Sequence, residues 1–303
     1  MPSLSGVIAA AATPLSADGT IDHAKLVEHC GWLLSEGGCD GVNLLGTTGE
    51  ATSFSVDQRL AAMKAVATGG LPLERFMVGT GASALADSVR LTAEAKRLGF
   101  AGALLLPPFY YKGIDPASLE RCVVTVIEGA GADGLALYLY HIPQNTGVPF
   151  PIEVVARLAE RHPGTLAGLK DSSGDATYAK DLARRVPSIA VFPSSEGTLA
   201  TADEFGFAGC ISASVNVSGR PSQEAWRARG TAEGQAAVAR AVAIRESLSR
   251  FPLVAAVKWT LGRMKGDESW RRLLPPLRSL TDEEGAALDR QLDEATGGRA
   301  LAA

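Results

Sequence analysis

Short β-branched or apolar runs alternate with amphipathic segments from the start of the chain to about Ala213, the pattern of parallel strands joined by crossover helices. Eight runs read as strands: Val7–Ala12, Gly41–Leu45, Phe76–Gly79, Gly102–Leu106, Leu135–Tyr140, Leu166–Lys170, Ile189–Phe192 and Gly209–Ala213. Between the first two, Asp22 is suited to cap a helix, and Leu26, Cys30, Leu33 and Leu34 fall on one face of it at i, i+4, i+7 and i+8. Ser55–Ala67, Ala84–Leu98, Pro116–Gly129, Pro151–Arg161, Tyr178–Arg185 and Thr198–Phe205 repeat the helical pattern less sharply. Eight strand–helix units at roughly regular spacing predict an α/β fold, a closed (β/α)8 TIM barrel in preference to an open sheet. Past Ala213 the strand pattern stops. From Pro221 to about Thr296 the pattern is helical, interrupted at Pro252 and at Pro275-Pro276, which predicts helices appended to the barrel. The expected organisation is a barrel over 1–220 with C-terminal helices over 221–303 packed on it as one structural unit, and a frayed tail from Gly297 to Ala303.

A length of 303 residues suits one such barrel without requiring a second domain. The longest apolar runs fall short of the ~20 residues that span a bilayer, so a membrane protein is not expected. No basic region precedes the first apolar stretch, and Thr13-Pro14 soon interrupts it; a secretory signal is therefore not expected, and a cytoplasmic setting is. The 29 basic and 33 acidic residues leave a net charge of -4 with no Lys/Arg block, which argues against nucleic acid as a partner. Cys30, Cys39, Cys122 and Cys210, like His23, His29, His141 and His162, lack ligand spacing, so structural or surface roles are expected and no metal. Gly79-Thr80-Gly81-Ala82-Ser83-Ala84 has the look of a dinucleotide-binding glycine turn. It lies in the third unit, however, and the stretch near Arg97–Gly99, where a ribose-binding acid belongs, ends a helix, so no cofactor is expected.

Catalytic groups of such barrels project from the C-terminal ends of strands. The second strand runs into Gly46-Thr47-Thr48-Gly49-Glu50, where glycines free the backbone and two hydroxyls stand beside N–H groups; this is a carboxylate cradle or, equally, a tight hydroxyl-capped turn. The sixth strand ends at Lys170-Asp171. Burial disfavours an ammonium there, so the amine can become a nucleophile toward a ketone; the alternatives are a snorkelling side chain or a pair with Asp171. The fifth strand ends at Tyr140, followed by His141-Ile142-Pro143, which offers a proton relay beside Lys170 or a half-buried packing residue. Pro107-Pro108-Phe109-Tyr110-Tyr111-Lys112 follows the fourth strand, an aromatic loop that lines the site or a subunit contact.

Gly-Thr-Thr-Gly-Glu at 46–50, Tyr-His-Ile-Pro at 140–143, Gly-Leu-Lys-Asp at 168–171 and Gly-Cys-Ile-Ser at 209–212 occur in order at successive strand ends. Together they resemble the N-acetylneuraminate lyase and dihydrodipicolinate synthase superfamily of class I aldolases, from about Gly6 to Asn216 and more weakly beyond. The resemblance implies that Lys170 forms a Schiff base with pyruvate or a pyruvate-like 2-keto acid. It further implies that Gly46, Thr47 and Thr48 hold the carboxylate, that Tyr140 shuttles protons, and that the carbonyl of Ile211 faces the site. Tyr110 matches a tyrosine contributed across a subunit interface to a relay with Thr48, and a homo-oligomer, a dimer of dimers, is implied. Asn145 stands where dihydrodipicolinate synthases carry an arginine for the second substrate's carboxylate. Arg59, Ser83 and Asp87 stand where their lysine-feedback site usually has histidine, asparagine and glutamate. Gly197, Thr198 and Ala213 are nearest the acidic pair and serine that hold the polyol in sialic acid lyases. Asp171-Ser172-Ser173-Gly174-Asp175 and Phe109-Tyr110-Tyr111 fit enzymes of 2-keto-3-deoxy sugar acids. The implied activity is carbon–carbon bond formation or cleavage, or loss of water, beside a 2-keto acid. A 4-hydroxy-tetrahydrodipicolinate synthase and a non-catalytic keto-acid-binding barrel are the alternatives.

Overall fold

A computed structural model describes residues 4–298 of the chain. Its eight strands are β1 (Gly6–Ala10), β2 (Gly41–Leu44), β3 (Phe76–Gly79), β4 (Gly102–Leu105), β5 (Ala136–His141), β6 (Leu166–Asp171), β7 (Ala190–Pro193) and β8 (Gly209–Ser212). They form one sheet in the order β7-β6-β5-β4-β3-β2-β1-β8, and every pairing is parallel. The two ends meet through a bridge between Val191 and Phe207, with Ala208 N donating to Val191 O at 3.0 Å, and so complete a (β/α)8 barrel. Each predicted strand is present and ends within two residues of its expected limits. The largest difference is in β1, where Ala12 leaves the ladder because its N–H is taken by the Asn216 side chain at 3.1 Å.

Helices cover the barrel, and their ends follow local chemistry. Asp175 accepts from the N–H groups of Thr177 and Tyr178 and so starts the helix Ala176–Arg185 ahead of the predicted Tyr178. The single helix expected over Thr198–Phe205 is a 3-10 segment, Glu196–Thr201, followed by one helical turn, Ala202–Phe205, that closes on left-handed Gly206. Beyond β8 lie the helices Val215–Arg227, Ala232–Ser249, Leu253–Lys265 and Asp282–Thr296. The first of these is two helices joined across a kink at Ser218, so Pro221, where the C-terminal segment was expected to begin, falls in the first turn after the kink. Pro252 precedes the third, as its pattern predicts. The predicted tail lies outside the described residues from 299 onward. Among the described residues no helix is long and apolar enough to cross a membrane.

Strand alternation divides the core in two. On β5, Leu137 and Leu139 face outward into the layer beneath the helices, while Ala136, Tyr138 and Tyr140 face the barrel interior with Ile8, Met77, Phe192 and Ile211. Tyr138 fills the middle of the barrel, and glycines on both neighbouring strands make room for its ring. A Cβ on Gly168 would lie 2.5 Å from the ring, and one on Gly102 2.8 Å from it. Because Lys170 is two residues beyond Gly168 on β6, it shares that inward phase and emerges one layer above Tyr138, at the mouth. A third cluster, including Val257, Trp259, Trp270, Leu288 and Leu292, packs the C-terminal helices against one another and reaches the barrel through Ala12.

Candidate active site

Tyr140 and Lys170 are register partners on β5 and β6, so their inward side chains are lateral neighbours at the C-terminal end of the barrel. Lys170 Nζ stands 4.3 Å from the centroid of the Tyr140 ring. Both residues are buried, at 3% and 4% exposure, which leaves them little water to compete with a bound substrate. Asp171 points the other way: its Oδ1 accepts from Ser173 N at 2.9 Å, and burial raises its carboxyl against the lowering effect of that bond. The ion pair with Lys170 weighed from the sequence is absent among the described residues.

Thr47 Oγ1 lies 3.3 Å from the Tyr140 hydroxyl. Burial pushes the Tyr140 phenol up, but the charge of Lys170 and hydrogen bonds with Thr47, Ser172 and Lys170 together outweigh it and hold the phenol below its ordinary value. The hydroxyl joined to Tyr140 is thus that of Thr47, the neighbour of Thr48, for which the relay was expected. The cause is the path of the loop. Leu45 and Glu50 both take left-handed conformations, at φ 53° and 55°, so inward and outward positions cannot be counted on from β2. Thr48 is buried beside Thr47 in the same cleft.

The loop is held from three sides. Thr13 Oγ1 donates to Gly49 O at 2.8 Å. Lys258 Nζ donates to Glu50 Oε1 at 2.6 Å, with both side chains wholly buried, and Leu274 N donates to Glu50 Oε2 at 3.1 Å. Beneath it, Gly79 permits close approach: a Cβ there would sit 2.1 Å from Leu45 O. The glycine turn weighed as a dinucleotide signature therefore serves to seat the neighbouring loop. Arg59 fixes the same turn by donating to Gly81 O at 3.0 Å and Gly79 O at 2.8 Å, and burial lowers its guanidinium to about 10.

A cleft of about 470 Å³ is lined by Thr47, Thr48, Tyr140, Lys170 and Ile211, which brings five of the seven predicted site residues to one place. Gly46 lines an adjoining cavity of about 260 Å³ that shares Thr47 and Tyr140 with the cleft. Tyr110 is not brought into its own chain's cleft; it is 74% exposed and packs edge-on against Tyr111 at 5.3 Å. His141 faces outward, stacked on Tyr178 at 4.1 Å with Nδ1 accepting from Phe150 N at 3.0 Å, and burial lowers it to about 4. It is a neutral packing residue.

The Dihydrodipicolinate synthetase family model matches residues 3–295. The chain belongs to that family. An uncharacterized DapA-like lyase of Chloroflexus aurantiacus is 34% identical over 289 residues, covering 93% of this chain and 94% of the relative. The 4-hydroxy-tetrahydrodipicolinate synthase of Azoarcus sp. is 31% identical over 284 residues, covering 90% and 93% of the two chains. Among solved structures, the dihydrodipicolinate synthase of Agrobacterium tumefaciens superposes with a TM-score of 0.88 at 29% identity, covering 96% of this chain and 99% of its own.

The fold also brings to the site groups that the sequence reading missed. Arg245, from the helix Ala232–Ser249, lines the cleft, and behind it Glu196 is wholly buried among Ser212, Ser214 and Ser218. The helix that carries Arg245 is alanine-rich and has no motif that marks the arginine, so only the tertiary contact reveals it.

Removing the Tyr140 hydroxyl leaves the ring in place and deletes the bond to Thr47. Tyr140→Phe is therefore expected to fold normally and to lower turnover by roughly 10²–10⁴-fold, read from steady-state kinetics beside a thermal melt.

Proposed function

We propose that the chain is a class I lyase in which Lys170 forms a Schiff base with a 2-keto acid and the bond beside it is made, broken or dehydrated. The observation that supports this most directly is the placement of Lys170, Tyr140 and the two threonines around one cleft, with Tyr140 hydrogen-bonded to Thr47 and 4.3 Å from the amine. Thr47 and Thr48 hold the substrate carboxylate and fix the keto carbon next to the amine. The Lys170 amine adds to that carbon; the resulting carbinolamine loses its hydroxyl as water, with Tyr140 moving the proton, and leaves an iminium. The iminium then accepts the electron pair of the adjacent bond. Either the C3–C4 bond breaks as the C4 hydroxyl gives up its proton, leaving an aldehyde and an enamine that is reprotonated at C3, or C3 loses a proton and the resulting enamine expels the C4 hydroxyl, which takes up that proton and leaves as water. Water finally releases the product and restores the lysine.

Within this class we favour 2-keto-3-deoxy acids, on the Asp171-Ser172-Ser173-Gly174-Asp175 run that follows the lysine and on Asn145 in the cleft wall, where a synthase of the tetrahydrodipicolinate type would carry arginine. Tyr110, exposed together with Tyr111 at 74% and 72%, is available to complete the relay of a neighbouring copy in a homo-oligomer. The deciding assay incubates the protein with 2-keto-3-deoxygluconate and follows pyruvate release or the dehydrated keto acid by mass spectrometry. The same protein is tested separately with pyruvate and aspartate semialdehyde. Turnover of the first kind is expected; condensation with aspartate semialdehyde alone would replace this substrate class with the synthase reaction.

A further inference from the structure

The cleft carries more positive charge than one keto-acid carboxylate requires. Besides the reactive Lys170 its wall includes Arg245 and Arg278, and no aspartate or glutamate lines it. Arg278 is already neutralised by a two-pronged pair with Glu284, at 2.7 Å for each bond. Arg245 is held differently. Its Nη1 alone reaches the buried network, with Ser194 O at 2.9 Å and Glu196 Oε2, Ser212 Oγ and Ser214 Oγ each at 3.1 Å. A guanidinium has five N–H donors, two of them on Nη1. The acceptors crowd one nitrogen, while the three N–H groups of Nη2 and Nε have no protein partner among the described residues and are not sealed from solvent. Arg245 is thus fixed at one corner by a wholly buried carboxylate, with an unused edge available to the cleft that it lines.

A guanidinium edge with parallel donors matches a carboxylate. The same cleft wall includes Pro252, Leu253 and Leu277, whose side chains offer contact only to an apolar spacer. We infer that Arg245 receives a second carboxylate at the far end of the substrate, so that the enzyme prefers, among the 2-keto acids it turns over, those carrying two carboxylates, with Glu196 and its serines as the positioning group that aims the guanidinium. The inference rests on the cleft being the keto-acid site proposed above, and it assigns the distal group that the lysine and threonines leave open.

The test compares 2-oxoadipate with 2-oxohexanoate, which have the same chain length but differ in the distal carboxylate. Binding of each is measured by isothermal titration calorimetry to the full chain and to Arg245→Gln and Arg245→Lys. The original chain is expected to prefer the diacid by about tenfold or more, as a charge-assisted pair implies. Arg245→Gln should bring the preference to about unity and Arg245→Lys should retain part of it, whatever happens to absolute affinity. Glu196→Gln, which loosens the anchor without removing the cation, should weaken the preference while leaving the diacid favoured. No preference in the original chain, or one that survives in Arg245→Gln, would overturn the assignment. Reductive trapping of pyruvate on the same samples separates the two claims. An adduct on Lys170 without a diacid preference removes only the role of Arg245, whereas an Arg245-dependent preference without an adduct keeps that role and removes the Schiff-base chemistry.

Discussion

Lys170→Ala is expected to lower turnover by roughly 10⁴-fold or more, because no other group supplies a nucleophile that the rest of the site can assist. Lys170 is 3% exposed, and its amine stands 4.3 Å from the centroid of the Tyr140 ring. Its side chain forms no salt bridge among the described residues, so removing it leaves no buried carboxylate without a partner. The variant should therefore keep its melting behaviour while losing activity. Steady-state kinetics with circular dichroism separate the two quantities. Full activity in the folded variant would exclude the lysine as nucleophile, and loss of structure would mean that the amine is needed for packing.

The second large effect concerns stability. Lys258 and Glu50 form an ion pair at 2.6 Å with neither side chain exposed, which links the threonine loop to the helix Leu253–Lys265. Burial pushes the Lys258 ammonium down, and the charge of Glu50 opposes it. Lys258→Met keeps much of the side-chain volume but leaves Glu50 buried with only Leu274 N as a partner, and it is expected to cost about 3–5 kcal/mol. Adding Glu50→Gln should recover part of that loss, because the uncompensated charge is then gone. Urea unfolding of the single and double variants measures both. A single variant as stable as the parent would mean that water reaches the pair, and equal losses in single and double variants would mean that the volume change dominates. Because Glu50 closes the turn that carries Thr47 and Thr48, the single variant should also bind keto acid less tightly.

The barrel was legible because parallel strands buried on both faces must be short apolar runs, and glycines mark where they begin or end. Tyr140 and Lys170 were legible for a related reason: each is the polar residue that terminates such a run, and the closed topology sends both to one rim. The threonine pair was legible as a feature of the strand end, whereas which of the two hydroxyls meets Tyr140 was not. Two non-glycine residues in left-handed conformations, Leu45 and Glu50, turn the loop in a way no periodicity records. The helix Ala176–Arg185 had a readable signal in Asp175, whereas the 3-10 segment Glu196–Thr201 had none of comparable strength. Arg245 and Glu196 lie 49 positions apart and meet only because the C-terminal helices fold back over the mouth. Lys258 and Glu50, 208 positions apart, meet for the same reason.

The proposed chemistry depends on a covalent bond between Lys170 and a keto acid. The measurement that tests it most directly is intact mass after incubation with pyruvate and borohydride, which reduces an imine to a stable amine, followed by peptide mapping. One adduct per chain, carried on the peptide containing Lys170 and absent from Lys170→Ala, is the predicted result. Folded protein that gains no mass, or that carries the adduct on another lysine, would contradict the account.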